Sequence, residues 1–420
     1  MADPPSHVRP FWPTARRVNE SPPRFSGGRM IAAAFVIGFC SGPGQSFTFS
    51  VFQPFLLESF GISRGTFAGI YAAGSLLSAM VASLAGRAAD RYGVRRTLAL
   101  SAVVMAAACG GMALSAGLVS LSVSLAVLRA LGQGTLVLLG SLLVMQWYAR
   151  KRGRAMSLAG LGVSLSGAVL PPACFAAIGA FGWQATYAWI GGILLVALLA
   201  VAALLVRNTP EEVGQHPDGD GEPQPVPKRK PDRRVFRSAR FWILAIALAA
   251  APFAVTALVF HQASLFADRG ISGEAAAGML SVLAVSAALT TLATGQLVDR
   301  FGVRKILRAL LVIEMLCLGL AQVLQDGVML WIYILLLGTV AGSSAVMGGV
   351  TWARFYGREG LGAVQGSAGT VMLTAAAIAP LPMGLLRDLT GSHTAGLAIC
   401  LLLPLAGLLL LMRDVEKMEE

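Results

Sequence analysis

Charged side chains are scarce in this sequence. They make up 13% of its 420 residues, against about 25% in an ordinary soluble domain. Hydrophobic residues account for 56%, and the mean hydropathy is +0.71. So much apolar surface cannot be hidden inside one water-soluble core, which argues against a soluble enzyme or binding domain. The composition predicts a chain that crosses a lipid bilayer several times.

The sequence also lacks the residue patterns of metal, redox and nucleotide chemistry. Its five cysteines form no CxxC pair and lie inside apolar stretches, where a thiol acts as a small hydrophobic side chain. No nucleotide-binding motif is present, and the apolar stretches hold no cluster of His, Asp and Glu. We therefore expect no metal or other cofactor, no ATP drive and no enzyme. The first residues are rich in Pro and Arg without a cleavable signal peptide, which predicts a disordered tail.

The one ionic excess is positive, with a formal net charge of +12. Nucleic-acid-binding proteins share such a value. Here the basic residues are confined to short segments between apolar stretches, which is the pattern of loops at a membrane surface rather than of a DNA-binding face. We expect the lipid bilayer, and no nucleic acid, to be the partner of this charge.

Breaks at charged and Gly/Pro-rich clusters divide the apolar sequence into segments of about 20 residues, the length that crosses the hydrocarbon core as a helix. This pattern predicts an all-α membrane protein with twelve transmembrane helices. The predicted spans are 30–54, 66–86, 97–117, 120–147, 155–178, 184–206, 241–266, 275–296, 305–324, 328–352, 361–386 and 394–412.

The basic residues orient these spans. With the N-terminus in the cytoplasm, 29 of the 33 Lys and Arg residues fall on the cytoplasmic side, as the positive-inside rule requires. The prediction is a multi-pass protein of the cell (inner) membrane with both termini cytoplasmic. A Pro-, Gly- and Asp-rich stretch in mid-chain resembles a flexible linker. The predicted organisation is a tail (1–29), a six-helix bundle (30–206), a cytoplasmic linker (207–240), a second six-helix bundle (241–412) and a C-terminal tail (413–420).

One charged segment occurs twice. The stretch Gly86–Arg96, GRAADRYGVRR, returns 209 positions later as GQLVDRFGVRK at Gly295–Lys305, each time after the second span of its half. A fainter echo joins the fourth and fifth spans of each half, as WYARKRGRA from Trp147 and WARFYGREGLGA from Trp352. Two six-span repeats in parallel orientation are typical of secondary transporters, whose substrate site lies between the halves near the bilayer midplane.

The repeated pattern Gly-x-x-x-Asp-Arg-x-Gly-x-Arg-Arg/Lys resembles the signature loop of the major facilitator superfamily, and the resemblance covers essentially the whole chain. Within that superfamily, GPGQSFTFSVF in span 1 and FGWQATYAWIGG entering span 6 resemble the branch of monocarboxylate transporters and oxalate/formate antiporters. The usual Gly-Trp-Arg is Gly-Trp-Gln here. The resemblance implies two pseudo-symmetric six-helix bundles that alternate access to a small-molecule substrate. We expect a monomer.

In the superfamily the repeated loop helps to hold the cytoplasmic side shut, and the resemblance implies the same role here. Asp90 has two candidate partners, a helix N-terminus of the other half or the neighbouring arginines. The alternative for the basic residues, including Arg96 and Lys305, is that they only retain the loop in the cytoplasm. The predicted cytoplasmic gate consists of Gly86, Asp90, Arg91, Gly93, Arg95, Gly295, Asp299, Arg300, Gly302 and Arg304.

Two charges lie well inside the predicted spans, where each costs about 2.5–3.5 kcal/mol on insertion scales. Arg129 resembles the span-4 Arg that the superfamily associates with proton coupling, although the glycines after it come one residue early. A guanidinium facing the cavity would bind an anion, and the alternative is a structural Arg bonded to helix carbonyls. Glu314 falls in a peripheral span, and we expect it to be protonated and hydrogen-bonded to a neighbouring helix.

The cation with which this branch pairs a substrate carboxylate is missing from spans 8 and 11. A monocarboxylate would then pair with Arg129 or with His261, which titrates near neutral pH. The alternative for His261 is an interfacial residue bonded to backbone. The candidates for the substrate or proton pathway are Arg129, Gln133, Gln45, Ser46, His261 and Gln262.

The sequence thus predicts a proton-coupled secondary active transporter of a small organic anion such as a monocarboxylate. The alternative is proton-driven efflux of a drug, metabolite or other toxic compound, although span 5 lacks the Gly-Pro-Gly-Gly-type motif common in drug/proton antiporters. A transceptor that has lost transport is a third possibility, and two intact copies of the charged loop argue against it.

Overall fold

The computed structural model describes residues 25–219, 237–271 and 273–413, and within these ranges the chain is helical and forms no strand. Three parts of the predicted organisation lie outside the described residues: most of the N-terminal tail (1–24), the second part of the linker (220–236) and the C-terminal end (414–420).

Six helices build the N-terminal half. Helix α1 is interrupted by a 3-10 turn at Gly42–Gly44, and α4 contains a π-helical segment at Ala130–Leu136. The helices are α1 (Gly27–Phe60), α2 (Arg64–Tyr92), α3 (Val94–Ala113), α4 (Leu118–Trp147), α5 (152–181) and α6 (183–205). Helices α5 and α6 follow each other without a loop and together form the stretch Arg152–Leu205.

Six further helices build the C-terminal half, after a linker whose described part contains two short 3-10 turns at Pro210–Val213 and Pro217–Gly219. These helices are α7 (Ala239–Asp268), α8 (Gly273–Phe301), α9 (Val303–Gln322), α10 (Val328–Tyr356), α11 (361–390, in the segments Leu361–Ile378 and Pro380–Thr390) and α12 (Thr394–Arg413).

Each of the twelve predicted spans coincides with one of these helices. By length and composition alone, ten described stretches are able to cross a membrane. One of them, Arg152–Leu205, has 54 residues, far more than the roughly 20 that one crossing needs. It divides at Gly182, whose φ of 81° and ψ of 162° no helix contains. The remaining span is α9, whose cations at 304, 305 and 308 and Glu314 lower its hydropathy.

Glycines let the helices of each half pack closely, as membrane helices require in the absence of a hydrophobic drive. A Cβ on Gly162 of α5 would lie 2.0 Å from the carbonyl oxygen of Phe35 in α1. In the C-terminal half, a Cβ on Gly342 of α10 would lie 2.1 Å from the carbonyl oxygen of Ala287 in α8. The halves meet where α2 packs on α11 and α5 packs on α8.

The two ends of the bundle differ in what they contain. We call the end at which residues 207–219 lie, together with the α2–α3 and α8–α9 connections, the linker end. The opposite end holds the turns at 61–63, 114–117, 323–327 and 391–393. Glycines in the left-handed φ range close α2 and α8 at the linker end with nearly identical geometry, since Gly93 has φ 84° and ψ 156° and Gly302 has φ 84° and ψ 157°. The sequence repeat is therefore also a structural repeat.

Candidate functional site

Asp90, the last acidic residue of α2, reaches across to the other half at the linker end. Its carboxylate accepts hydrogen bonds from the backbone N–H groups of Gly362 (2.9 Å) and Ala363 (2.7 Å), the first turn of α11. Those N–H groups have no partner inside their own helix, and the helix dipole favours a negative charge beside them. The approach requires glycine, because a Cβ on Gly86 would lie 1.9 Å from the carbonyl oxygen of Gly362.

Asp299 makes the same contact in the second copy of the repeat. Its carboxylate accepts the N–H groups of Gly153 (2.8 Å) and Arg154 (3.0 Å) in the first turn of α5, which belongs to the N-terminal half. Gly295 and Gly153 approach here as Gly86 and Gly362 do, since a Cβ on Gly153 would lie 2.2 Å from the carbonyl oxygen of Gly295. Two carboxylates related by the repeat thus each bond the N-terminus of a helix that belongs to the other half, at the linker end of the bundle.

The arginines of the repeat have other partners, so of the two candidates for Asp90 the structure places it on the helix N-terminus. Arg91 and Arg300 each stack on the aromatic ring that follows them, at 5.2 Å in both copies. Arg95 donates to the carbonyl oxygen of Ala203 near the end of α6 (3.1 Å). Arg304 lies over the ring of Phe355, at 5.7 Å. These contacts tie the loop to its own half.

A second layer of contacts between the halves was missed from the sequence. The Arg358 guanidinium donates to the carbonyl oxygen of Gln146 (2.8 Å), and the Gln146 amide donates to the carbonyl oxygen of Arg358 (3.0 Å). Arg152 donates to the carbonyl oxygen of Ala353 (3.1 Å). These residues belong to or border the fainter echo that starts at Trp147 and Trp352, so the signal was present in the sequence.

The first part of the linker is folded onto this end, which corrects the prediction of a flexible segment from residue 207. The Asp218 carboxylate accepts the N–H groups of Ala149 (3.0 Å) and Arg150 (2.7 Å), just before α5. The Asn208 side chain accepts the N–H of Arg95 (3.0 Å) at the start of α3. The correction has a physical reason: polar linker side chains satisfy backbone groups that helix ends leave without partners.

Glu211 connects this linker segment to the C-terminal half through an ion pair with Arg358, at 2.8 Å. Burial alone would raise the pKa of the Glu211 carboxyl, but the hydrogen bond and the charge of Arg358 outweigh it, so the pKa of Glu211 lies below its ordinary value. The linker segment 207–219 therefore contacts both halves at the linker end.

A central cavity lies between the halves. It has two adjoining lobes of about 390 and 460 Å³, within the size range of small-molecule sites. Gln133 lines both lobes, and its buried Oε1 has no hydrogen-bond partner among the described residues. Gln45 lines the second lobe. The described lining contains no charged side chain, and its other polar and sulfur-containing members include Ser141, Met156, Thr256, Thr291, Ser344, Gln365 and Met372.

Arg129 does not line these lobes. Its side chain is 5% exposed and lies where α1, α2 and α4 meet. The guanidinium donates to the carbonyl oxygen of Gly44 (3.1 Å) and to Ser75 Oγ (3.0 Å), and it stacks over the ring of Tyr71 at 4.2 Å. Of the two interpretations of Arg129, this environment favours the structural one, because its donors already hold the break in α1 against α2.

The remaining pathway candidates lie away from the cavity lining. The side chain of Ser46 is hydrogen-bonded to Tyr71, the residue on whose ring Arg129 stacks. His261 Nε2 lies 3.0 Å from the carbonyl oxygen of Pro380, toward the opposite end. Gln262 is buried, and its amide has no partner among the described residues. Of the six candidates, only Gln133 and Gln45 belong to the described cavity lining, while Arg129 and Ser46 share contacts with Tyr71 outside it.

The expected hydrogen bond of Glu314 is absent from the described part of the chain. Its side chain is 1% exposed, and neither carboxyl oxygen has a partner there. The prediction of a bond to a neighbouring helix was wrong for the described residues, where the ionisable groups beside this carboxyl are the thiols of Cys317, in the same helix, and Cys400, in α12.

Comparison with known proteins agrees with this architecture. The family model described as Major Facilitator Superfamily matches residues 34–289 and 260–420. The chain belongs to the Major Facilitator Superfamily. It is a multi-pass membrane transporter and not an enzyme, and the resemblance stated from the charged repeat is confirmed.

Individual relatives within the superfamily are distant. Monocarboxylate transporter 11 of Homo sapiens is 26% identical over 397 residues, which is 91% of this chain and 81% of the relative. Agnestins efflux protein AgnL12 of Paecilomyces divaricatus is 26% identical over 278 residues, or 65% of this chain. The match spans only 60% of the length of that efflux protein.

Among solved structures, the proton:xylose symporter XylE bound to 6-bromo-6-deoxy-D-glucose superposes with a TM-score of 0.73. The superposition covers 93% of this chain and 95% of XylE, at 15% sequence identity. This likeness establishes the fold, two six-helix bundles around a central cavity.

Proposed function

We propose that this protein is a proton-coupled secondary active transporter that carries a small amphipathic organic molecule, uncharged when bound, through the central cavity. The observation that carries the proposal is the described cavity lining, which offers amides, hydroxyls and thioethers but no charged side chain. An anion that entered this lining would lose its hydration without gaining a counter-charge, which is costly. The missing nucleotide-binding motif argues against ATP drive, and the proton is proposed as the coupling ion because the proton:xylose symporter XylE shares this fold.

The contacts at the linker end supply the conformational half of the mechanism. Asp90 and Asp299 are proposed as two latches, one from each half, that close this end while the substrate enters from the other. Alternating access then requires both latches to break. The linker end is proposed to face the cytoplasm, because the loops rich in Arg and Lys lie there. Substrate could move out of the cell, as the name of the efflux relative states for that protein, or into it. The direction of flux is measured in proteoliposomes with an imposed pH gradient.

A monocarboxylate is the second candidate substrate. It is favoured by the human monocarboxylate transporter 11, whose match covers 91% of this chain. Since the cavity lining described above has no cation, a monocarboxylate would occupy it together with the coupling proton, as the neutral acid. This candidate differs from the first in its dependence on proton binding, which a binding assay at two pH values resolves.

Binding is tested first with the purified full-length protein. Uncharged aromatic alcohols and labelled lactate are compared by the rise in unfolding temperature that each causes, since a ligand that binds only the folded state stabilises it. We expect the uncharged compounds to stabilise at pH 8 and pH 6 alike. Stabilisation by lactate at pH 6 alone would favour the second candidate, and no stabilisation by either class would refute the proposed cavity chemistry.

Two amide variants make the test specific to the cavity. Gln133→Leu removes the half-buried amide that lines both lobes, and we expect roughly 3- to 10-fold weaker binding, the loss of one hydrogen bond. Gln262→Leu removes a buried amide outside the described lining and serves as the matched control. The ligand that passes this test is then followed in proteoliposomes with an imposed pH gradient. A flux that ignores the gradient would refute proton coupling.

A further inference from the structure

A cluster of ionisable side chains lies at the opposite end of the C-terminal half, away from both the cavity and the latches. Asp268, the last residue of α7, accepts hydrogen bonds from the Arg387 guanidinium in α11, at 3.0 and 3.3 Å. His393, in the turn between α11 and α12, lies 3.4 Å from the same carboxylate. The His393 ring is also 5.6 Å from that of His261. Three helices thus meet at one imidazole.

The surroundings of His393 define which nitrogen carries its proton. Ser264 Oγ donates its hydrogen to the carbonyl oxygen of His261 (2.9 Å), so its lone pairs are left to accept from His393 Nε2, at 3.1 Å. Asp268 is a second acceptor beside the same nitrogen. Nε2 therefore carries the hydrogen in the neutral ring, and Nδ1 holds the free lone pair.

Nδ1 is the unusual atom of this cluster. The His393 side chain is 98% buried, since only 2% of it is exposed, and Nδ1 has no hydrogen-bond partner among the described residues. As a lone pair it tolerates an apolar contact, but as an N–H donor it would be buried without an acceptor, which is costly. Protonation at Nδ1 is thus compatible with this packing only if the turn at 391–393 moves.

We propose that His393 is a proton-binding site of this protein: Nδ1 takes up a proton from the solution at the opposite end, and the imidazolium loosens the turn between α11 and α12. The proton comes from water, and no bond other than N–H forms. The charges that face the ring are His261 and Asp268 on α7, Arg269 directly after α7, and Arg387 on α11. Asp268 stabilises the imidazolium, while the two arginines and a charged His261 oppose it.

The opposing influences fix the direction of the titration. Burial is the largest influence and lowers the pKa of His393 below its ordinary value of 6.5, while Asp268 works in the other direction. Chiefly through its hydrogen bond with Arg387, the pKa of Asp268 is itself lowered, so this carboxylate stays charged while the imidazole titrates. The turn is therefore held at neutral pH and released in acid. A link between the release of this turn and transport would rest on the proton-driven transport proposed above. The uptake of a proton by His393 is independent of that proposal.

Proton uptake and turn release are measured separately on the full chain in lipid nanodiscs. The imidazole resonances of isotope-labelled histidine are followed from pH 8 to pH 5, and the His393 signal is assigned by its loss in His393→Gln. Backbone amide exchange of 391–400 is measured over the same range and corrected for the intrinsic effect of pH. We expect the His393 signal to titrate below pH 6.5 and the exchange of this segment to rise with it. The rise should vanish in His393→Gln and persist in His216→Gln, an exposed histidine at the linker end.

Asp268→Asn keeps the test decisive if His393→Gln does not fold. Removing the carboxylate takes away the charge that favours the imidazolium, so the midpoint of the exchange rise should move about 1 pH unit lower. A rise that survives in His393→Gln, an unmoved midpoint in Asp268→Asn, or no rise in the wild type would overturn the proposal. A histidine that titrates as expected in a protein without gradient-driven flux would refute the proposed transport and leave this site standing.

Discussion

Replacing the two latch carboxylates should shift the protein toward a conformation in which the linker end is open. Asp90→Asn keeps one acceptor oxygen but loses the charge and one of the two hydrogen bonds to the first turn of α11. A carboxylate at a helix N-terminus contributes roughly 0.3–1 kcal/mol when exposed and up to about 2 kcal/mol when partly buried. Since Asp90 is only partly covered by the other half, we take about 1 kcal/mol, which corresponds to roughly a fivefold change in the ratio of open to closed molecules.

The double variant Asp90→Asn/Asp299→Asn tests a larger predicted shift toward the open conformation. The two carboxylates share no hydrogen-bond partner, so their effects should add, to at most about 2 kcal/mol or roughly 30-fold. Spin labels at Arg96→Cys and Lys305→Cys report the opening, because these exposed positions occupy equivalent places in the two copies of the repeat. The five native cysteines are buried.

The distance distribution between the two labels, measured by double electron–electron resonance, should gain a longer component in each single variant and more of it in the double variant. Glu58→Gln, which neutralises an exposed carboxylate at the opposite end, is the matched control and should leave the distribution unchanged. An unchanged distribution in a double variant of normal thermal stability would refute the assignment of Asp90 and Asp299 as latches.

Three further changes test other parts of the same structure. Gly86→Ala places a Cβ 1.9 Å from the carbonyl oxygen of Gly362 and should prevent closure and transport, whereas Gly192→Ala, with no atom within 4 Å, should be silent in the same distance measurement. Arg129→Gln removes the contacts with Gly44, Ser75 and Tyr71 and should lower the free energy of unfolding by about 2–3 kcal/mol. The control is Arg87→Gln, which changes an exposed arginine bonded within its own helix. Equal unfolding temperatures of these two variants would contradict a structural role of Arg129. Because Arg358 holds the pKa of Glu211 below its ordinary value of 4.5, this pair favours closure above pH 4.5 and loses its effect as the pH falls through the lowered pKa. The acid-induced opening should therefore be smaller in Glu211→Gln, and an identical acid response in both proteins would rule out the pair as a contributor.

The fold could be predicted from the sequence because the bilayer imposes strong and local constraints. Every predicted span became a helix, since apolar runs of about 20 residues have few alternatives in hydrocarbon. The repeat at Gly86 and Gly295 was visible because duplication conserves spacing. The spans and the repeated loop are both local features, so the residues that define each of them stand next to one another in the sequence.

The partners of individual polar side chains could not be predicted in the same way. Arg129 contacts groups 54 and 85 residues away in the chain, and no spacing rule distinguishes that environment from a cavity wall. The linker composition of Pro, Gly and Asp predicted flexibility, yet its Asp218 and Asn208 found helix ends that lacked partners. His393 could not be identified as a site from the sequence, because its neighbours in the chain are ordinary turn residues. Its buried environment arises only when α7 packs beside the turn between α11 and α12.

The linker makes the two latches unequal, although the repeat makes them look the same. At the first turn of α5, Asp299 shares the positive helix end with Asp218 of the linker, which caps the N–H groups of Ala149 and Arg150, and the two carboxylates repel each other. Removing the charge of Asp299 relieves this repulsion and leaves a second carboxylate in place. Asp90 has no such substitute on the first turn of α11 among the described residues. Asp90→Asn should therefore open the linker end more than Asp299→Asn does, and adding Asp218→Asn should make the two single variants equal.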